Sequence, residues 1–170
     1  MAEIRKIYNE FIHHLPIEDQ IPIKICPTLH DMIDTHLKNN CGYIKPAHKR
    51  INQTLNEYKA FCNSDNYRTK YVNVIRQICD GHIKRFRFNI IALATQPILI
   101  NRGALRYANK LRVITIILHE IGHIHNGKFG SKEYMDEYQA DIFAYKWLQK
   151  LYTLGIVDEY IQDKDIECKH

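Results

Sequence analysis

Apolar residues recur at helical spacing near the start of the chain, with Ile4, Ile7, Tyr8, Phe11, Ile12 and Leu15 on one face of a helix over 3–15. Spacing of i, i+3, i+4, i+7 predicts an amphipathic helix. Pro16 and Pro22 bracket a connecting segment. The pattern returns over 28–39 (Leu29, Met32, Ile33, His36, Leu37), after Pro27 and before Gly42. It recurs over 47–62 (Ile51, Leu55, Tyr58, Cys62) and over 67–79 (Tyr67, Tyr71, Val74, Ile75, Ile78), where Gly81 supplies a stop.

The period changes at His82. From His82 to Asn101 the chain is rich in Ile and Phe, Phe86 and Phe88 alternate with Arg85 and Arg87, and Ile98, Leu99 and Ile100 follow Pro97. Two or three short strands forming a small sheet are expected here. Ala104 to Asn126 then reads as one long helix, with Gly127 as its C-cap. A second helix is expected after Ser131, whose side chain can cap it, with Glu133 in the first turn. It runs to about Tyr152, places Ile142, Tyr145 and Leu148 on its buried face, and gives way at Gly155. The tail after Asp158 is polar and expected to fray. The pattern as a whole predicts one α+β domain over 1–170: a helical part over 1–81, a small sheet over 82–101 and a helical hairpin over 104–152.

Composition narrows the class. A length of 170 residues fits one domain, since domains most often run roughly 100–150 residues. Hydrophobic residues at 45% and charged residues at 25% are ordinary for a soluble protein with its own core. A net charge of +5 is mildly basic, short of the excess expected of a dedicated nucleic-acid binder, so direct nucleic-acid binding is not expected. Cys26, Cys41, Cys62, Cys79 and Cys168 are dispersed without a CxxC pair, which reads as reduced thiols in a cytoplasmic protein. The N-terminus MAEIRKIYNEFIHHL has no uninterrupted apolar run of the kind a signal peptide needs. No stretch reaches the ~18 apolar residues of a membrane span.

The chemistry is concentrated in His119-Glu120-Ile121-Gly122-His123, an HExxH sequence inside the first helix of the predicted hairpin. Residues four apart lie one turn above each other, so both imidazoles can grip a single ion. A catalytic zinc takes three protein ligands and one water. Zinc lowers the pKa of that water toward roughly 7, and Glu120, next to a ligand but not itself one, can take its proton as general base. Glu137-Tyr138-Gln139-Ala140-Asp141 follows on the next helix. Glu137 lies six residues past Ser131, and the histidines straddle a point about six residues before Gly127; an antiparallel hairpin would set them level. Glu137 is therefore the expected third ligand. Asp141, one turn on, can accept the free N–H of a ligand histidine, with His119 the nearer.

HExxH followed on the next helix by ExxxD resembles the gluzincin metallopeptidases. Ile98–Tyr152, with its ILHEIGHIHNG and EYQADIFAYKWL segments, is most similar to the ImmA/IrrE family. That resemblance, over about the C-terminal third, implies a zincin-like fold and an intracellular zinc-dependent endopeptidase. Members are often associated with phages or mobile elements and typically cleave DNA-binding repressors, which implies a protein substrate of the transcriptional-regulator class. The gap between His123 and Glu137 is shorter than in many gluzincins, and residues 1–80 resemble no family.

Blander readings apply to the other candidates. His125, two positions from His123, points away from the metal and reads as a plain exposed histidine. Tyr107, Tyr134 and Tyr138 are near the motif in sequence, but none is singled out as the oxyanion donor. His82–Arg87 interleaves basic and aromatic residues; a half-buried strand, whose edge could align an extended substrate, is preferred over a nucleic-acid patch. The competing functional class is a non-catalytic module in which zinc stabilises a protein- or nucleic-acid-binding surface. Glu120 argues against it, because a structural zinc site needs no base.

Overall fold

A computed structural model of the chain describes residues 2–28, 91–128 and 131–159, together with residues 31, 32, 35, 36, 38 and 39. The predicted helices over 47–62 and 67–79, the strand pattern of Phe86 and Phe88 and the tail beyond 159 lie outside the described residues. What is described is α+β: α1 (Ala2–Phe11), β1 (Ile23–Cys26), β2 (Ala92–Leu93), β3 (Ile98–Asn101), α2 (Lys110–Asn126) and α3 (Glu137–Thr153). No helix among these residues is long and apolar enough to cross a membrane.

The N-terminal helix forms where periodicity placed it, burying Ile4, Ile7, Tyr8 and Phe11, and tightens into a 3-10 turn over Ile12–His14. Arg5 and Tyr8 tie it to the chain beyond by donating to the carbonyls of Ile23 and Ile21. Residues 31, 32, 35, 36, 38 and 39 are helical, with Thr28 Oγ1 capping the Asp31 amide and Met32 fully buried.

The sheet departs from expectation in one strand. Its order is β1-β3-β2, with β1 parallel to β3 and β2 antiparallel to it. Ile23–Cys26 falls inside the part expected to be helical, so 1–81 is not purely helical and the sheet is not confined to 82–101. Four residues between Pro22 and Pro27 are too few to show a period, and the partner strand lies far along the chain. The central strand carries no polar residue until its end because both of its faces are covered. Ile98 and Ile100 join Ile4, Ile7, Ile114 and Ile117 in the main core, whereas Leu99 packs with Cys26 and Met32 on the other side.

Both ends of the hairpin also shift. The helix expected from Ala104 begins at Lys110, because the side chain of Asn109 accepts the Arg112 amide and caps it there. Residues 102–107 form consecutive tight turns instead, with Leu105 donating to Arg102 and Ala108 to Leu105. Leu105 and Ala108 continue the apolar spacing, which disguised the break. Ser131 caps only a turn, through the Tyr134 amide. Asp136 accepts the Gln139 amide and starts α3, so Glu137 opens that helix rather than sitting within it. The buried face of α3 is Ala140, Phe143, Ala144, Leu148 and Leu151; Leu148 was expected there, while Ile142 and Tyr145 are only half-buried. Gly155 does end the region. It is left-handed (φ 72°), and the Gly155 and Ile156 amides donate to Tyr152 and Leu151 in the paired pattern of a Schellman cap.

Helix α2 is the centre of the described part, buried along Val113, Ile114, Ile117, Leu118, Ile121, Gly122 and His123, with α1, β2 and β3 on some sides and α3 on another. A Cβ at Gly122 would stand 2.9 Å from the Ala140 carbonyl oxygen and 3.0 Å from Phe143 Cβ. Only a residue without one allows α3 this close. Replacing Gly122 with Ala must push the helices apart, an overpacking change expected to cost about 1–3 kcal/mol. Urea unfolding should show a lower midpoint at unchanged slope; a wild-type midpoint would mean the helix contact is looser than the structure indicates.

Candidate metal centre

The close packing of α2 and α3 brings His119, His123 and Glu137 to one point, with a ligand atom from each within 4.8 Å of the others. The two Nε2 atoms are 3.0 Å apart. Glu137 places Oε2 at 3.1 Å from His119 Nε2 and Oε1 at 3.6 Å from His123 Nε2. Zinc with nitrogen and oxygen ligands at 2.0–2.1 Å in a tetrahedral arrangement needs ligand atoms about 3.3 Å apart. The spacing fits.

The outer nitrogens explain why the inner ones face each other. His119 Nδ1 lies 2.8 Å from Asp141 Oδ1, and His123 Nδ1 donates to the backbone carbonyl of Tyr134. With the Nδ1 protons held there, both Nε2 lone pairs are turned inward beside a carboxylate. Clustered acceptors repel unless a proton or a cation sits among them, which is how metal-binding imidazoles are usually oriented. The ring planes stand 87° apart, and both Nε2 atoms lie beside the same Glu137 carboxylate.

Charge follows the same geometry. Burial disfavours the charged form of His119, but the hydrogen bonds to Asp141 and Glu137 outweigh it and raise its pKa to about 10. Glu137 is held well below the usual carboxylate range, first by its hydrogen bond to His119 and then by His123. Burial pushes the Glu120 carboxyl up, against the pull of both histidines. Glu120 is half-buried beside the cluster and takes no hydrogen bond from a described residue.

The remaining candidates separate clearly. The Tyr134 hydroxyl, 2.6 Å from the Ala94 carbonyl oxygen, donates into the loop after β2 and is committed there. Tyr107 is 90% exposed, and Tyr138 is exposed at the start of α3. His125 does face away from the cluster, but it is not a plain surface histidine: its Nδ1 is 2.8 Å from Asp19 Oδ1, a carboxylate buried in the 3-10 turn Ile17–Asp19, and its ring packs on Phe143. No local pattern foretells a partner 106 residues away. The Tyr134 carbonyl was equally invisible, because a backbone acceptor leaves no residue-type signature. His82–Arg87 lies outside the described residues. No family profile, curated protein or solved structure matches the chain.

Two measurements test this arrangement. Because His119 is protonated near neutral pH without metal, zinc uptake at pH 7 should release about one proton, as ligand imidazoles must be neutral. Calorimetric titration in buffers of different ionisation enthalpy reads this directly, and an enthalpy independent of the buffer would contradict it. Asp141→Asn should leave the fold intact and weaken zinc about 10–100-fold, the usual effect of losing a partner behind a ligand. Affinity equal to wild type in a chelator competition would remove Asp141 from that role.

Proposed function

We propose that the chain is a zinc-dependent endopeptidase of the gluzincin kind, with His119, His123 and Glu137 as metal ligands, Glu120 as general base and Asp141 orienting His119. One observation carries the proposal: two imidazole Nε2 atoms and a carboxylate converge at near-tetrahedral spacing, with the Glu120 carboxylate adjacent and taking no hydrogen bond from a described residue. The same arrangement supports a zincin-like reading of the fold. Zinc held there would act as a Lewis acid on a carbonyl and make water acidic enough to deprotonate near neutral pH. Asp141 and the Tyr134 carbonyl keep the Nδ1 protons of His119 and His123, so each ring presents Nε2. Glu120 takes the proton of the attacking water and returns it to the departing amine. Its upward-shifted pKa suits both directions, since a general base works best near the ambient pH. The substrate class, an intracellular protein such as a DNA-binding regulator, rests on the family resemblance.

The competing module reading needs a closed site with four protein ligands. Among the described residues three side chains converge, and an acidic residue beside them serves no structural purpose.

Glu120→Gln separates the two. It preserves volume but not basicity, so zinc content and fold should survive while peptide cleavage falls by at least about 10²–10⁴-fold. His119→Ala should lose both metal and activity. Cleavage is best read by mass-spectrometric mapping of new N-termini in a cell lysate. A Glu120→Gln protein that cleaves as fast as wild type would end the mechanism, and a zinc-loaded wild type that cleaves nothing would favour the module.

A further inference from the structure

A cavity of about 560 Å³ opens where the carboxyl ends of β1 and β3 meet α1, and it shares no residue with the metal cluster. Pro27 follows β1 directly; Arg102 and Gly103 follow β3. The two strands are parallel, so the chain leaves the sheet on the same side twice. Crevices outside the carboxyl ends of such strands are where open sheets receive ligands. The wall is fixed by hydrogen bonds: the Arg102 amide donates to the Cys26 carbonyl at 3.0 Å, and the Gly103 amide to the Asn101 side chain at 3.1 Å.

The lining has two chemistries. Ile4, Ile7, Leu105 and Val113, all buried members of the main core, supply an apolar floor. Arg102 and Arg106 line it as well, both exposed, and neither is ion-paired or hydrogen-bonded through its guanidinium to a described residue. The guanidinium carbon of Arg106 lies 5.5 Å from the centre of the Tyr107 ring, a cation–π contact. Glu3 is the one acidic side chain among the described residues of the lining. Two guanidinium groups against one carboxylate favour an anion of single charge, whereas a dianion would be repelled by Glu3 and a cation by both arginines. The planar donor fork suits a carboxylate in particular. A volume between roughly 300 and 1,000 Å³ is that of a small-molecule site with an apolar lining and few polar anchors.

We propose that this cavity binds a small organic carboxylate with an apolar body: the carboxylate meets Arg102 and Arg106, and the body lies on Ile4, Ile7, Leu105 and Val113. The proposal is independent of peptidase activity. The test uses the full-length, zinc-loaded, ¹⁵N-labelled protein titrated with sodium octanoate, octanol and octylamine hydrochloride. Octanoate should shift the Gly103, Leu105 and Arg106 amides saturably, at least tenfold more tightly than octanol, and octylamine should not bind. Arg102→Ala with Arg106→Ala, both at exposed positions, should erase the preference for octanoate over octanol. Ala108→Phe, which fills the cavity from its half-buried edge, should block all three probes. Saturable shifts confined to Gly122 and Glu137 would show a carboxylate captured by the metal and overturn the proposal. So would octanol binding as tightly as octanoate, octanoate affinity unchanged in the double variant, or octanoate binding that survives Ala108→Phe.

Discussion

The backbones of α2 and α3 touch between Gly122 and Ala140, and the rest of the centre follows from that contact. Gly122 lies in the turn between His119 and His123, and Ala140 in the turn between Glu137 and Asp141. The closest approach of the two helices therefore falls inside both residue-bearing turns. His119 meets Asp141 while His123 faces Glu137 and the Tyr134 carbonyl just before it, the crossed order of helices running in opposite directions. A wider separation would leave Glu137, a side chain of only three rotatable bonds, short of both rings. Close packing at a glycine thus converts a helical repeat into a three-atom cluster.

Three carboxylates within two helical turns would be costly to hold together if their surroundings were alike. They are not. Glu137 is largely exposed, hydrogen-bonded to His119 and 3.6 Å from the His123 ring nitrogen, and the two imidazoles keep it ionised. Asp141 is tied to the Nδ1 of His119. Glu120 sits where burial works against its charge and the histidines work for it. Environments that push neighbouring acids apart in pKa are how a site assigns one to charge and another to proton transfer. That division supports Glu137 as ligand and Glu120 as base, and it arises from placement alone, since both residues are the same amino acid.

What could be read from the sequence was whatever repeats every turn. His119, His123, Glu137 and Asp141 have their relations written as i+4 spacing within helices, and the structure brings them together even though the two helices start elsewhere than expected. Spacing alone starts α3 near Ser131, whereas Glu137 is its first residue. The compact turn over 132–135 delivers the chain to the same height that several residues of helix would have reached. The errors share a cause. Asn109 and Asp136 each start a helix through a side-chain hydrogen bond, a choice that apolar periodicity cannot see. Ile23–Cys26 becomes a strand because a distant strand offers it a ladder, which no local window contains.

The N-terminal segment also bears on the centre, through the opposite side of α2. His125 follows His123 by about 200° of helical rotation, so the two side chains leave α2 on nearly opposite faces. Asp19 reaches His125 from the 3-10 turn, while Lys110 at the first turn of the same helix pairs with Glu10 of α1. The second of these pairs is exposed and weak in energy. The first involves a carboxylate almost removed from water, which is stable only with a partner in place. Helix α2 is consequently held near its carboxyl end by Asp19 of the N-terminal segment and by α3, whose Phe143 packs on His125 and also meets the helix at Gly122. Rotation of α2 about its own axis would break one contact or clash at the other. The orientation of His119 and His123 toward Glu137 is therefore held by α3 and by the first twenty residues of the chain together.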